Sequence, residues 1–281
     1  MSSKTMSLKA KIKTYAKDTG ITAQVVLQNY MFERFLARLS MSNYNDKFIL
    51  KGGMLVAAIV GLDTRATMDL DTTLRNFSLT EEQINNALEE VLSIDQDDNV
   101  LFSIKSIEPI RKDDIYGGYC VRIDAKYDSI ITPLSIDIST GDVITPSAIK
   151  YEFTGIFDDD LKINLWGYNI ETILAEKIET ILRRGVLSTR PKDFYDVYIL
   201  STTQKYNIET LYIALNATIK HRGSMNAISN TNSILEEIRT NKELKNQWDK
   251  YRRKFTYAKD IEYDNIMEVL NNLLKSYDPI K

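Results

Sequence analysis

Two residue types are almost missing from this 281-residue chain: one cysteine, Cys120, and one histidine, His221. A single cysteine excludes an internal disulfide framework and fits a reducing compartment. With only one histidine as well, the chain lacks the ligands for a zinc site and the usual base for a Ser-His triad. Any metal must then be held by carboxylates, which favours Mg²⁺, with Mn²⁺ as the alternative. No apolar run approaches the length of a membrane span. The N-terminus, MSSKTMSLKAKIKTYAKDTG, has lysines but no apolar core, so no secretory signal is expected there. Repeats and low-complexity tracts are absent, and a cytoplasmic location with no membrane partner is the expectation. A strong positive charge is missing too: the net charge is −3, which argues against generic coating of nucleic acid. The balance is uneven, however. Residues 1–160 hold 17 basic and 24 acidic side chains, whereas from Leu161 onward there are 19 and 15.

What is present is an ordinary globular composition, 43% hydrophobic and 27% charged, long enough for two subdomains. Period and caps predict a helix over Thr22–Ser40, a short strand at Phe48–Leu50 and a short helix at Met54–Val60. A helix from Thr80 to Leu92 follows, then strands at Val100–Ile110, Tyr119–Tyr127 and Pro133–Ser139. Two short strands flank the Asp158–Asp160 turn. After Trp166-Gly167 the pattern becomes helical, with Asn169 capping Ile170–Arg184, a second helix at Arg190–Leu200, and helices to the end. The fold class is α+β, a mixed sheet with flanking helices followed by an all-α part. We place the boundary between residues 1–165 and 166–281.

The chemistry concentrates in Lys51–Asp71, KGGMLVAAIVGLDTRATMDLD. Strand, glycine pair and helix N-terminus together offer N–H groups for phosphate. Asp69 and Asp71, two apart on a strand, would face one side. Asp137, in Leu134-Ser135-Ile136-Asp137-Ile138, adds a third carboxylate on a later strand; a solvent-facing aspartate on a half-exposed strand is the competing reading. Paired carboxylates beside a phosphate cradle suit two-metal phosphoryl transfer. Arg65 and Thr67 lie in the loop before them, where Arg65 would hold phosphate or pair with Asp63. Basic clusters at Arg183-Arg184, Arg190/Lys192, Lys220-His221-Arg222 and Arg252-Arg253-Lys254, with Tyr251 and Tyr257 as stacking surfaces, would line a nucleic-acid path. Solvated helix faces are the bland alternative for each.

The segments QNYMFERFL (Gln28–Leu36), FILKGGMLVAAIVGLDTRATMDLD, LSIDIS, ETILAEKIETILRRG and RPKDFYDVYIL (Arg190–Leu200) together resemble the AbiEii/AbiGii nucleotidyltransferase toxins. These belong to abortive-infection toxin–antitoxin systems of the AbiE type, within the DNA polymerase β-like nucleotidyltransferase superfamily. The resemblance implies that Gly52 and Gly53 are the motif's glycine pair and that Asp69, Asp71 and Asp137 are its metal carboxylates. Lys177 matches the lysine of the helical third motif, and Asp193 and Asp196 match the aspartates of the fourth. Lys177 would neutralise triphosphate charge, or make only a surface pair beside Glu176. Asp193 and Asp196 would lock helices together through Arg183, Arg184 or Arg190, with Asp193 also orienting Lys177 or a substrate group. Met54 departs from the family, in which Ser or Thr often follows the glycines; that places nucleotide affinity or choice in question. The implied activity is Mg²⁺-dependent transfer of a nucleoside monophosphate from NTP to RNA, foremost the tRNA 3′ end. Translation and growth would stop, as phage defence requires, and a cognate antitoxin acting as a transcriptional repressor would counteract it. A protein acceptor (AMPylation) and a non-catalytic NTP-binding module are the alternatives. A monomer is the default.

Overall fold

A computed structural model describes residues 3–78, 80–110, 117–228 and 230–277. The chain forms two compact units, one of Met1–Asp142 with Ala148–Gly167 and one of Val143–Ser147 with Tyr168–Lys281.

The first unit is built on a seven-stranded mixed sheet. Its strands in chain order are β1 (Phe48–Lys51), β2 (Leu70–Leu74), β3 (Val100–Pro109), β4 (Gly118–Tyr127), β5 (Ile130–Thr140), β6 (Ile149–Thr154) and β7 (Lys162–Gly167). Their order across the sheet is β3-β4-β5-β2-β1-β7-β6. The edge β3-β4-β5 is an antiparallel meander, β5 runs parallel to β2, β2 antiparallel to β1, and β1 parallel to β7. The alternation visible in LSIDIS is realised: Leu134, Ile136 and Ile138 are buried, while Ser135 and Asp137 are half-buried on the other face. Gly117, with φ +54, stands just before β4, and Gly118 is the first residue of that strand; residues 111–116 lie outside the described residues.

Four helices complete this unit: α1 (Ser3–Thr19), α2 (Ala23–Met41), α3 (Gly52–Val60) and α4 (Glu81–Ser93). Two caps were legible from sequence. Thr22 Oγ1 accepts from the Val25 N–H, and Thr80 Oγ1 accepts from the Gln83 N–H at 3.2 Å. Helix α1 was not expected. Only Thr5, Leu8 and Ile12 are buried along its 17 residues, too sparse a stripe to read, and it docks on α2.

α2 is more than a packing helix. Beside buried Met31, Phe32, Phe35 and Leu39 it buries Gln28, Asn29, Glu33, Arg34 and Arg38, and each named polar side chain works on a neighbouring segment or on α2 itself. Arg38 donates to both carboxylate oxygens of Asp98, at 2.7 and 2.8 Å, and to the Val100 carbonyl. The expected acidic connector at Asp95–Asn99 is therefore pinned to α2 at its end. Burial, the largest single effect, would raise the Asp98 carboxyl, but the Arg38 hydrogen bonds, the Val100 N–H and the charges of Arg38 and Arg34 together hold the group below its usual range.

The second unit is helical: α5 (Ile170–Arg184), α6 (Pro191–Thr203), α7 (Ile208–His221), α8 (Thr231–Thr240), α9 (Lys242–Lys254) and α10 (Tyr263–Leu274), with short 3-10 turns between some of them. Asn169 caps α5 as expected, accepting from the Thr172 N–H at 2.7 Å. Its amide also donates to the carbonyls of Thr145 and Ser147, which ties the segment Val143–Ser147 into this unit.

Candidate active site

The registers of three adjacent strands bring the site together. Lys51 on β1 is opposite Asp71 on β2, and Asp71 is opposite Asp137 on β5. On β4, Cys120 is opposite Asp137. Directly opposed residues share a face, so Lys51, Asp71, Asp137 and Cys120 form one row across the sheet. The other face carries Leu70, Ile136, Ile138 and Val121, all fully buried. The row is thus the polar margin of an apolar sheet.

Glycine's role at the helix start differs from a simple phosphate loop. Gly52 opens α3 with φ +65, a conformation that suits glycine, and a Cβ there would stand 2.7 Å from Asp71 Cγ. The Asp71 carboxylate lies against the helix N-terminus, where it meets the positive end of the dipole. At Gly53 a Cβ would be 2.9 Å from Thr67 Oγ1 and 3.3 Å from Arg65 Nη2. The glycine pair therefore lets the carboxylate and the loop before it close onto α3. Lys51, the residue before α3, makes no side-chain cap, so no cap from Lys51 covers the first N–H groups.

Asp69 is a correction to the strand reading. β2 begins at Leu70, and Asp69 stands just before it in an exposed bend. That loop is held from α2: Asn29 donates to the Thr67 carbonyl at 2.7 Å and Gln28 to the Met68 carbonyl at 2.9 Å. Thr67 is half-buried. Arg65 is buried and donates to the Ala66 carbonyl, so its guanidinium helps hold the loop from inside. Met54 is also buried, lining a cavity of about 300 Å³ with Tyr15, Asn29, Glu33, Ala57 and Gly61. Its side chain faces this cavity.

The electrostatics of the row are unbalanced. Burial raises the Asp137 carboxyl above its usual range; a hydrogen bond from Cys120 opposes this, and the charges of Asp71 and Asp69 push it further up. Lys51 pulls the other way only weakly, because its ammonium is engaged elsewhere. It donates to Ser139 Oγ at 2.7 Å and to Asp142 Oδ2 at 2.5 Å. Burial raises Asp142, but Lys51 more than offsets it, and the carboxyl stays low. Lys51, Ser139, Asp142 and Cys120 were all missed as site neighbours. The lysine of KGG was visible, but its partner lies 91 residues away.

An all-oxygen set of mutually repelling carboxylates is suited to a hard dication. The in-register pair Asp71 and Asp137 fits one. Among the described residues, though, no three acidic, histidine or cysteine side chains are gathered closely enough to make a finished metal cage.

In the helical unit, Lys177 is buried and donates to Asp193 at 2.8 Å, with Asp196 at 2.9 Å. Arg190 donates to the other oxygen of Asp193 at 2.6 Å. Neither the surface pairing with Glu176 nor an open lysine is seen. Burial would lower the Lys177 ammonium, but Asp196 and Asp193 outweigh it and keep it charged. Several basic clusters are similarly matched. Arg183 bonds Glu179, Arg222 bonds Glu176 and Glu179, and Arg252 bonds Asp249 and Glu262. Tyr251 is no surface platform; it is buried in an aromatic cluster with Trp248, Phe255 and Tyr257.

With this geometry in view, comparison with known proteins is decisive. Residues 34–271 match the family model described as nucleotidyl transferase AbiEii toxin, type IV TA system. The chain belongs to the AbiEii nucleotidyltransferase toxin family. Two solved structures are similar to this AbiEii-family chain. One is described as a "putative nucleotidyltransferase from H. pylori" (TM-score 0.50, 16% identity, 91% of this chain and 97% of that one). The other is JHP933 from Helicobacter pylori (TM-score 0.50, 15% identity, 91% and 94%). At such identities the likeness establishes the fold. No curated protein matches. The AbiEii-family chain is a nucleotidyltransferase, and its family implies an NTP substrate and an antitoxin partner. No helix among the described residues is long and apolar enough to cross a membrane.

Proposed function

We propose that this AbiEii-family toxin transfers a nucleoside monophosphate from an NTP to the 3′-terminal hydroxyl of tRNA, so that the tRNA no longer accepts an amino acid. The observation that carries this reading is the in-register pair Asp71 and Asp137 beside the N-terminus of α3, with neither carboxylate in a salt bridge among the described residues. Asp71, Asp137 and Asp69 would hold Mg²⁺ or Mn²⁺. The ion supplies charge neutralisation to the triphosphate and makes the attacking hydroxyl easier to deprotonate. The chain's own part is positioning. Gly52 and Gly53 let Asp71 and the Arg65–Asp69 loop close on α3, whose first N–H groups face developing negative charge. Lys51, clamped by Asp142 and Ser139, sets the end of β1. The attacking oxygen bonds to the α-phosphorus as the α–β phosphoanhydride bond breaks, the hydroxyl loses its proton, and pyrophosphate leaves.

Lys177 gives two of its three donors to Asp193 and Asp196, which fixes its ammonium between α5 and α6. Growth arrest in phage defence and relief by a cognate repressor-type antitoxin complete the reading. The test is transfer of each labelled NTP onto purified total tRNA and onto lysate, followed by RNase or protease. Label released by RNase and lost in Asp71→Asn supports the proposal. Protease-sensitive label moves the acceptor to protein, and binding without transfer reduces the chain to a nucleotide-binding module.

A further inference from the structure

A second polar cavity lies in the sheet unit, away from the row of carboxylates, where the start of α1 meets α2 and the turn before β7. It measures about 490 Å³ and is lined by Lys4, Lys11 and Arg34 and by the rings of Tyr30 and Phe157. The two rings are in contact, 5.7 Å between centroids, and the Arg34 guanidinium lies over Tyr30 at 5.0 Å. Arg34 is more than nine-tenths buried. It shares Glu33 on the same helix, yet its Nε has no hydrogen-bond partner among the described residues. That Nε is itself sealed from solvent, so what Arg34 offers an anion in the cavity is the charge of its guanidinium. Lys4 and Lys11 are exposed, and Lys4 donates to the neutral Asn99 side chain at 3.1 Å. Among the described lining residues Asp158 is the carboxylate, and with Arg34 matched by Glu33 the two lysines still outnumber it. The wall is anchored, because Thr5 Oγ1 donates to Asp128 at 2.6 Å and fixes α1 to the β4–β5 turn.

Cations beside aromatic rings recognise a phosphate and a base together; here the two rings are tilted by 34° to each other. We propose that this cavity binds one phosphorylated nucleoside, with the phosphate on Lys4, Lys11 and Arg34 and the base against Tyr30 and Phe157. The chemistry is shared by one nucleotide of an RNA chain and by a free mononucleotide. α2 links the cavity to the candidate active site. Asn29 and Gln28, which hold the loop before Asp69, lie five and six residues before Arg34, a rise of about 8–9 Å along one helix. The proposal does not rest on the transferase reading, since binding here needs no divalent cation.

The experiment measures binding of a fluorescent seven-nucleotide RNA and of AMP to the full chain in EDTA, with Lys4→Glu/Lys11→Glu and Asp71→Asn beside the parent. Both lysines are exposed, so the double variant is expected to melt like the parent. We expect its affinity to fall tenfold or more, and the slope of log affinity against log salt for the RNA to shrink by about 0.7, the share of one phosphate on a single strand. Asp71→Asn should bind like the parent. RNA binding alone identifies an acceptor strand, and AMP binding of equal sensitivity identifies a free nucleotide; either supports the site. Parent-like binding by the lysine variant, no binding by the parent, or loss in Asp71→Asn overturns it.

Discussion

Two clusters of aspartates sit in this molecule, and they are opposites. In the helical unit Asp193 and Asp196 close on Lys177, with Arg190 adding a second cation to Asp193. Every charge there meets its opposite inside the fold. On the sheet, Asp71 and Asp137 face each other across parallel strands with Asp69 nearby, and the one lysine in their row is bound to Asp142 instead. The first cluster is electrostatically matched, and removing its lysine takes away the cation that two buried aspartates share. The second is incomplete, and removing a member relieves repulsion. One arrangement holds helices together; the other waits for a cation.

The largest expected effect breaks the sheet cluster. Asp71→Asn should lower nucleotide transfer by about two to three orders of magnitude, the scale of losing one preorganised charge at a transferring group, while the melting temperature holds or rises. Transfer at the parent rate by a folded Asp71→Asn protein would sink the assignment of this row. The helical cluster should respond the other way round. Lys177→Met removes the cation that both aspartates meet and should destabilise the unit by about 3–5 kcal/mol, read as a lowered midpoint in urea. Lys177→Met/Asp196→Leu sharpens the comparison, because Asp193 keeps Arg190. Its midpoint should recover toward that of the parent. If transfer also recovers, Lys177 is purely structural; stability without transfer gives Lys177 a part in the reaction beyond holding its helices together.

Gly52→Ala comes next, since it strains both backbone and site. Its φ of +65 and the clash with Asp71 predict a loss of about 1–3 kcal/mol together with reduced transfer. A variant that melts and transfers like the parent would show that Asp71 does not lie on the helix start. The smallest effect uses a third aspartate with a clean cation partner. Asp98 is held below its usual range by Arg38, so its contribution to stability is present above the ordinary aspartate value of about 3.9 and is lost as pH falls through the lowered folded value. The stability gap between the parent and Asp98→Asn should therefore narrow as pH drops from 7 to below 4. A gap that is constant with pH would exclude the pair as its source.

Much of the local structure was legible because it is encoded locally. Asn169 and Thr80 cap the helices they were expected to cap, since a side-chain oxygen reaches an N–H only three residues on. The alternation of LSIDIS placed Asp137 opposite Ile136 and Ile138 through the fixed period of a strand. Helix α1 escaped because its buried stripe is only three residues. Asp69 was read one residue into a strand that begins at Leu70, and element ends are the least locally determined feature of a chain.

The residues around the site followed a different rule. KGG and the aspartate pair stood out as a motif, but nothing local says that Gly52 is small to admit Asp71, or that Lys51 is spent on Asp142. Nor does local pattern show Tyr251 inside an aromatic cluster rather than on a surface. By itself the sequence determined which elements form, which face of each strand is polar, and which carboxylates are candidates, because these follow from spacing along the backbone. Only the tertiary structure decided which charges meet, since pairing and burial depend on strand register and packing between distant segments. That step separates the matched aspartates around Lys177 from the unmatched ones at Asp71 and Asp137.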